Sequence, residues 1–187
     1  MIISFNGDHG SGKSTVAKRV ANELSYPRYY MGQIFRDIAK EKKITLAELH
    51  DLCKNNPETD KQVDEYLVKL SKEQSNFVIE SRTAWYFIPN SFKIYLRVDE
   101  REGAKRIFSE IQSSDSRKDE DKNLNSIESI MLSEKKRRDE DEARYKKYYA
   151  IDIHQEKNYA LVLDTTKLSK DEVFNEVMKA IRLKLDA

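Results

Sequence analysis

Apolar residues fall in five short runs, separated by longer stretches whose apolar positions recur three or four residues apart. Met1 to Asn6 reads as a buried strand, and Thr15 to Leu24 as a helix with Val16, Val20 and Leu24 on one face. Pro27-Arg28-Tyr29-Tyr30 predicts a second strand ending at Gly32. Gln33 to Lys42 follows as a helix, Ile34, Phe35 and Ile38 inward, Arg36 and Asp37 turned to a cleft. Thr45 caps a helix through Leu46, Leu49 and Leu52 that stops near Asn55-Asn56-Pro57. Thr59 or Asp60 caps the next, striped by Val63, Leu67 and Leu70. Phe77 to Glu80 and Phe92 to Leu96 are continuous apolar runs, the mark of strands covered on both faces. Glu102 to Gln112 and Ser126 to Tyr149 predict helices, Tyr159 to Leu163 the last strand, and Lys170 to Leu185 the last helix. Between Ser113 and Lys122 there is no apolar residue, so this segment is an exposed loop: a lid tip or plain disorder.

Strands and helices alternate throughout, with no repeat period. That pattern predicts an α/β fold with three layers (α/β/α), a parallel five-stranded sheet and ligands at the carboxyl ends of the strands. The chain is read as a single domain, its core formed by about residues 1–39, 76–100 and 158–187. Two helical excursions, a flap over 40–75 and a lid over 101–150, overhang the same sheet edge.

Composition narrows the function. Charged residues make up 36% of the chain, yet the net charge is only +1, so no global field draws it to nucleic acid or a membrane. One cysteine, Cys53, excludes an internal disulfide and reads as a reduced, half-buried thiol. His9, His50 and His154 are too scattered for a zinc site. The opening apolar run is short and no stretch approaches ~18 apolar residues, so a cytoplasmic protein is expected.

Gly7-Asp8-His9-Gly10-Ser11-Gly12-Lys13-Ser14 match G-x-x-x-x-G-K-[ST] in full, between a strand and a helix. Such a turn aims backbone N–H groups and a positive helix end at one point, where a polyphosphate sits. Lys13 is placed for the β and γ oxygens and the Ser14 hydroxyl for Mg²⁺; the nucleotide-binding set runs from Gly7 through Thr15. The chain has five glycines and three lie here, which marks a backbone need rather than a chance surface turn.

The D-x-x-G and N-K-x-D signatures of GTPases are absent. Where motor ATPases end an apolar strand in Asp, this chain has Glu80-Ser81-Arg82, and an arginine there invites a second anion. A phosphoryl transferase follows. Arg36 and Arg106 add guanidinium groups, and Arg137, Asp141 and Arg144 share one helix face. Two guanidiniums flanking a carboxylate suit a phosphate with a ribose hydroxyl. The alternative is a solvated, ion-paired helix, which is how Glu134–Arg138, Lys135–Asp139, Lys136–Glu140 and Arg138–Glu142 read.

From Gly7 to about Val173 the chain resembles the cytidylate kinases, especially the short form of archaea and some bacteria. The segments that carry this are 7–15, Met31-Gly32-Gln33-Ile34-Phe35-Arg36, Ile79 to Ala84, Ala104 to Ile107, Arg144 to Ile153 and Leu163 to Ser169. The resemblance implies transfer of the γ-phosphoryl of Mg-ATP to CMP or dCMP. It implies that the Gly32–Arg36 segment grips the acceptor phosphate, Arg82 reaches the acceptor nucleotide, and Asp141 meets its sugar. Lys13, Arg106, Arg137 and Arg144 then form the catalytic set, with Arg138 an alternative register for Arg137, while Thr166 and Lys167 border the donor adenine. Asp60 and Asp64 are the matching positions in the flap. Many members read G-R-D or G-R-L where this chain has Ser81-Arg82-Thr83, and a small residue where it has Met31. Trp85, just beyond, is either core packing or a wall of the acceptor pocket.

No general base is needed, because a monophosphate with a second pKa of ~6 is already anionic at neutral pH. The expected partners are ATP and CMP or dCMP, without nucleic acid or membrane, and the chain is read as a monomer. Two further readings stand beside this one: a kinase for AMP, UMP or a non-nucleotide such as shikimate, and a non-catalytic nucleotide-binding protein.

Overall fold

The computed structural model describes residues 1–45, 48–49, 51–52, 58–113 and 124–186, without the side chains of Asp37, Thr59, Asp60 and Val63. Expectations for Cys53, His50, Asp60 and most of the 113–122 segment therefore lie outside the described residues.

Five strands, β1 (Ile2–Gly7), β2 (Arg28–Tyr30), β3 (Phe77–Glu80), β4 (Phe92–Arg97) and β5 (Leu161–Asp164), form one sheet. Its order is β2-β3-β1-β4-β5 and every pairing is parallel, for example Phe5 with Glu80 and with Ile94. The helices are α1 (Lys13–Leu24), α2 (Met31–Glu41), α3 (Glu58–Glu73), α4 (Ala84–Phe87), α5 (Glu100–Ser113), α6 (Ile127–Tyr149) and α7 (Lys170–Leu185).

The two-residue period of the strands divides the core. Ile3, Phe5, Val78, Ile94 and Leu96 face α1 and α7, meeting Val16, Val20, Val177 and Ile181. Phe77 and Ile79 point the other way, into a cluster with Met31, Leu67, Leu70 and Ile88. On that second face β1 carries Ser4 and Asn6, buried but satisfied: Ser4 bonds the Ser91 hydroxyl at 2.8 Å, and Asn6 donates to the Ile153 carbonyl at 3.0 Å.

Local signals set the helix ends. Capping boxes start α6 at Ser126 with Ser129 and α7 at Ser169 with Glu172. Thr45 caps as expected, exchanging bonds with Glu48. The last strand begins two residues later than predicted: a 3-10 turn at Glu156–Asn158 ends at Tyr159, whose hydroxyl donates to the Ile153 carbonyl at 2.9 Å. Helix α4 was not foreseen, and it buries Trp85 among Tyr95, Tyr145 and Tyr159. Trp85 is thus a core residue.

α5 and α6 pack into a hairpin with a core of its own, built on Ala104, Ile107 and Ile130. Gly103 lets this hairpin sit directly on the glycine-rich loop. A Cβ on Gly103 would lie 2.7 Å from the His9 carbonyl oxygen, and one on Gly10 only 2.4 Å from that of Gly103. Ala normally stabilises a helix interior by ~1 kcal/mol over Gly. Here Gly103→Ala is expected instead to destabilise by about 1–3 kcal/mol, since backbone must move to admit the methyl group. Urea denaturation of the variant checks the sign.

Candidate functional site

The loop leaving β1 is held from several sides. Gly10 and Gly12 take φ of 77° and 82°, and Gly12 caps α1 directly. Lys13 folds across the loop, its Nζ donating to the Asp8 carbonyl at 3.0 Å. The Asp8 carboxylate accepts from the Tyr95 hydroxyl at 2.7 Å and the Val98 amide at 3.0 Å, which clamps the loop to the end of β4. From below, the fully buried Thr165 hydroxyl lies 3.2 Å from the Ser11 carbonyl and 3.0 Å from that of Arg97. This preorganises a row of amides at the start of α1.

A cleft of about 670 Å³ opens over that row. Gly10 through Thr15 form one wall, and Tyr30, Gln33, Arg36 and Arg106 line it too. Arg36 lies over the Tyr30 ring and donates to its hydroxyl and to the Gly32 carbonyl, both at 3.2 Å. Gly32 itself sits beneath that ring, where a Cβ would come within 2.7 Å. Arg106 donates to the Thr165 and Thr166 carbonyls at 2.8 and 3.1 Å, so it braces the β5–α7 turn while lining the cleft. Leu168, Ser169 and Lys170 line that end, next to Thr166 and the exposed Lys167.

A second, smaller cavity of about 60 Å³ lies behind the loop, under the hairpin. Gly7, Asp8, His9, Arg82 and Asp141 line it. Arg82 forms an ion pair with Asp141 and a 2.6 Å contact with the His9 ring. Asp141 in turn accepts from Arg144 at 2.8 Å, and both are almost fully buried. Burial foremost, and Arg137 alongside, push the Arg82 pKa down. Tyr145 opposes this, and a guanidinium stays charged in any case.

Arg137, Asp141 and Arg144 thus face inward on α6, with Arg137 half-buried close to Arg82. Two charges read as solvated face inward as well. Glu134 pairs with His9, and Arg138 pairs with Glu100 of α5; both line the smaller cavity. Of the surface pairs expected on this helix, Lys136–Glu140 is formed, at 3.9 Å. The missed signal was position: Arg138 lies one turn and Glu134 two turns before Asp141 on the same stripe. Tyr95 and His154, which support the loop, carry no motif at all, and Thr165 lies in the Leu163 to Ser169 segment without having been singled out.

Glu80 does not point into either cleft. It is 2% exposed and accepts from Arg28 at 2.6 Å, so the strand end that holds metal in motor ATPases is used for an ion pair here. Among the described residues no group of three His, Cys, Asp or Glu side chains is arranged to hold a metal ion.

Known proteins place this geometry. Residues 3–129 match the protein family described as an AAA domain. The cytidylate kinase of Halobacterium salinarum is 33% identical over 97% of this chain and 89% of its own length. That of Sulfolobus acidocaldarius is 35% identical, covering 98% of this chain and 96% of its own. An S-adenosylmethionine-dependent nucleotide dehydratase of Lacinutrix mariniflava is 33% identical over 95% of this chain, which spans only 35% of that protein. Among solved structures, a shikimate kinase from Bacteroides thetaiotaomicron superposes with a TM-score of 0.62 at 14% identity, over 100% of this chain and 99% of that one, a likeness of fold.

The loop's support also makes stability depend on pH. The Tyr95 hydroxyl lies 2.8 Å from His154 Nδ1, and burial lowers the His154 pKa below its ordinary 6.5. The unfolded chain takes up a proton near pH 6.5 that the folded chain resists. Stability from this site is therefore complete above that pH and is lost as pH falls through the folded value. His154→Asn is expected to shrink the drop in denaturation midpoint between about pH 7.5 and 5.5, read by thermal melts at both values.

Proposed function

The chain belongs to the cytidylate kinases, within the family described as an AAA domain, and we propose that it moves the γ-phosphoryl group of Mg-ATP to CMP or dCMP, giving ADP and CDP or dCDP. The observation that carries this reading is one cleft with two anion-binding walls: the loop with Lys13 on one side, Arg36 on the other.

ATP lies with its β and γ phosphates on the amides of Gly10 to Thr15, Lys13 on their oxygens and its adenine against the turn at Thr166 and Lys167. The acceptor phosphate lies toward Arg36 and Arg82, its sugar toward Asp141. An acceptor oxygen attacks the γ-phosphorus, and the bond to the β–γ bridging oxygen breaks with its electron pair leaving on ADP. That oxygen is already anionic, so the protein needs no base. Its work is to hold two polyanions in line against their repulsion, and to balance charge spreading over the moving group. Lys13 and the loop amides do this from below, Arg106, Arg137 and Arg144 from the lid. The α5–α6 hairpin, seated on the loop, excludes water that would otherwise take the phosphoryl group.

Mg²⁺ would be held at the head of α1, where it would neutralise phosphate charge. Ser14 at the head of α1 fits that role through its hydroxyl, and the lack of an acidic cage among the described residues suits an ion held mainly by nucleotide. Met31, Ser81 and Thr83 stand at the acceptor end, where this chain departs from many relatives. No helix among the described residues is long and apolar enough to cross a membrane, which supports a cytoplasmic enzyme, and we read it as a monomer.

ADP release from Mg-ATP across CMP, dCMP, UMP, AMP and shikimate tests the assignment. Turnover is expected to be strongest with CMP or dCMP. Lys13→Ala should lower kcat by about 10²–10³, and Arg36→Ala should raise the acceptor KM by roughly 10- to 100-fold with a smaller change in kcat. Turnover with none of the five would overturn the reading.

A further inference from the structure

Asp64 of α3 is a buried carboxylate, 5% exposed, that joins three separate parts of the chain. The Thr83 hydroxyl donates to its Oδ1 at 2.7 Å, and the Tyr149 hydroxyl donates to its Oδ2 at 2.5 Å. Thr83 follows Arg82 at the exit of β3. Tyr149 is the last residue of α6, beside Ala150, whose left-handed backbone (φ 54°) ends that helix. Helix α3 belongs to the flap and α6 to the lid, so one side chain ties both to the sheet.

Packing alone does not call for this arrangement. A carboxylate in a buried place costs desolvation that an apolar residue would not, and its hydrogen bonds must offset that cost. The Tyr149 ring packs edge-on against Phe87 at 5.2 Å and stacks on Tyr145 at 6.2 Å between centroids, contacts a phenylalanine would keep. The hydroxyl adds one thing: a bond from the foot of the lid to the flap.

We propose that Asp64 is a positioning residue that couples acceptor binding at the flap to the placement of the lid. Adjacent residues at the β3 exit reach in two directions, Arg82 to Asp141 on the lid and Thr83 to Asp64 on the flap. Tyr149 closes the circuit, about two helical turns along α6 from Asp141. When α3 shifts toward a bound acceptor, Asp64 moves with it, and the lid helix must follow or give up the Tyr149 bond. A link that is either made or broken gives two discrete arrangements, which coupling between sites requires. The inference rests on the acceptor assignment above, because it needs a monophosphate at the flap.

The test is the affinity of a non-hydrolysable ATP analogue, measured by calorimetry with and without saturating CMP, on the whole chain. In the wild type, CMP is expected to tighten the analogue at least fivefold. In Tyr149→Phe, and separately in Thr83→Val, that ratio is expected to fall to within about twofold of unity. Affinities for each ligand alone should stay near the wild-type values in Tyr149→Phe, while the thermal midpoint falls because Asp64 loses one of its hydrogen bonds. A merely structural role would lower the midpoint and leave the ratio intact. A wild-type ratio near one, or one retained in both variants, overturns the coupling. Failure of CMP to bind the wild type overturns the acceptor assignment, and the coupling with it.

Discussion

Asp141 lies buried between two guanidiniums, and the arrangement of the site depends on it. Three charges withdrawn from water are costly, and they are tolerated because each is the others' counter-ion. The result fixes the lid helix to the exit of β3. Removing the carboxylate would leave Arg82 and Arg144 facing each other with Arg137 close by. Keeping it leaves a positive excess, suited to a further anion. A nearly neutral chain thereby keeps a local positive excess where the proposed substrates would bring their charge.

The same economy governs the phosphate loop. Its amides can be offered to a ligand because side chains from distant elements hold the loop's other groups: Tyr95 and Val98 on Asp8, Thr165 beneath Ser11. Gly103 removes the one side chain that would keep the α5–α6 hairpin off the loop. Preorganisation of this kind costs stability elsewhere and gains speed when charge moves.

Much of this was legible in the sequence, for reasons that can be named. Helix α7 has the ends that its regular apolar stripe predicts, and the structure shows a capping box at Ser169 fixing its start. The sheet was legible because its inner strands are short, largely apolar runs covered on both faces, with β3 buried along its whole length. Helix α6 was predicted as a helix, but its inward face was only half legible. That face is charged, so hydrophobic periodicity says nothing about it, and Glu134 and Arg138 were taken for solvated residues. Helix α4 is a four-residue turn, Ala84 and three aromatic residues, with no period to read. The contacts that shape the loop come from residues remote in sequence: Tyr95 and His154, which carry no motif, and Thr165, whose segment was recognised but whose role was not.

In the site proposed above, guanidiniums held around a buried carboxylate recognise a phosphate first and a base second. Comparing the affinities of CMP and of cytidine for the chain tests it most directly. Two charge-assisted contacts predict that CMP binds roughly 100-fold or more tighter, with the margin narrowing as salt rises. Equal affinities, or a margin unmoved by salt, would contradict the account.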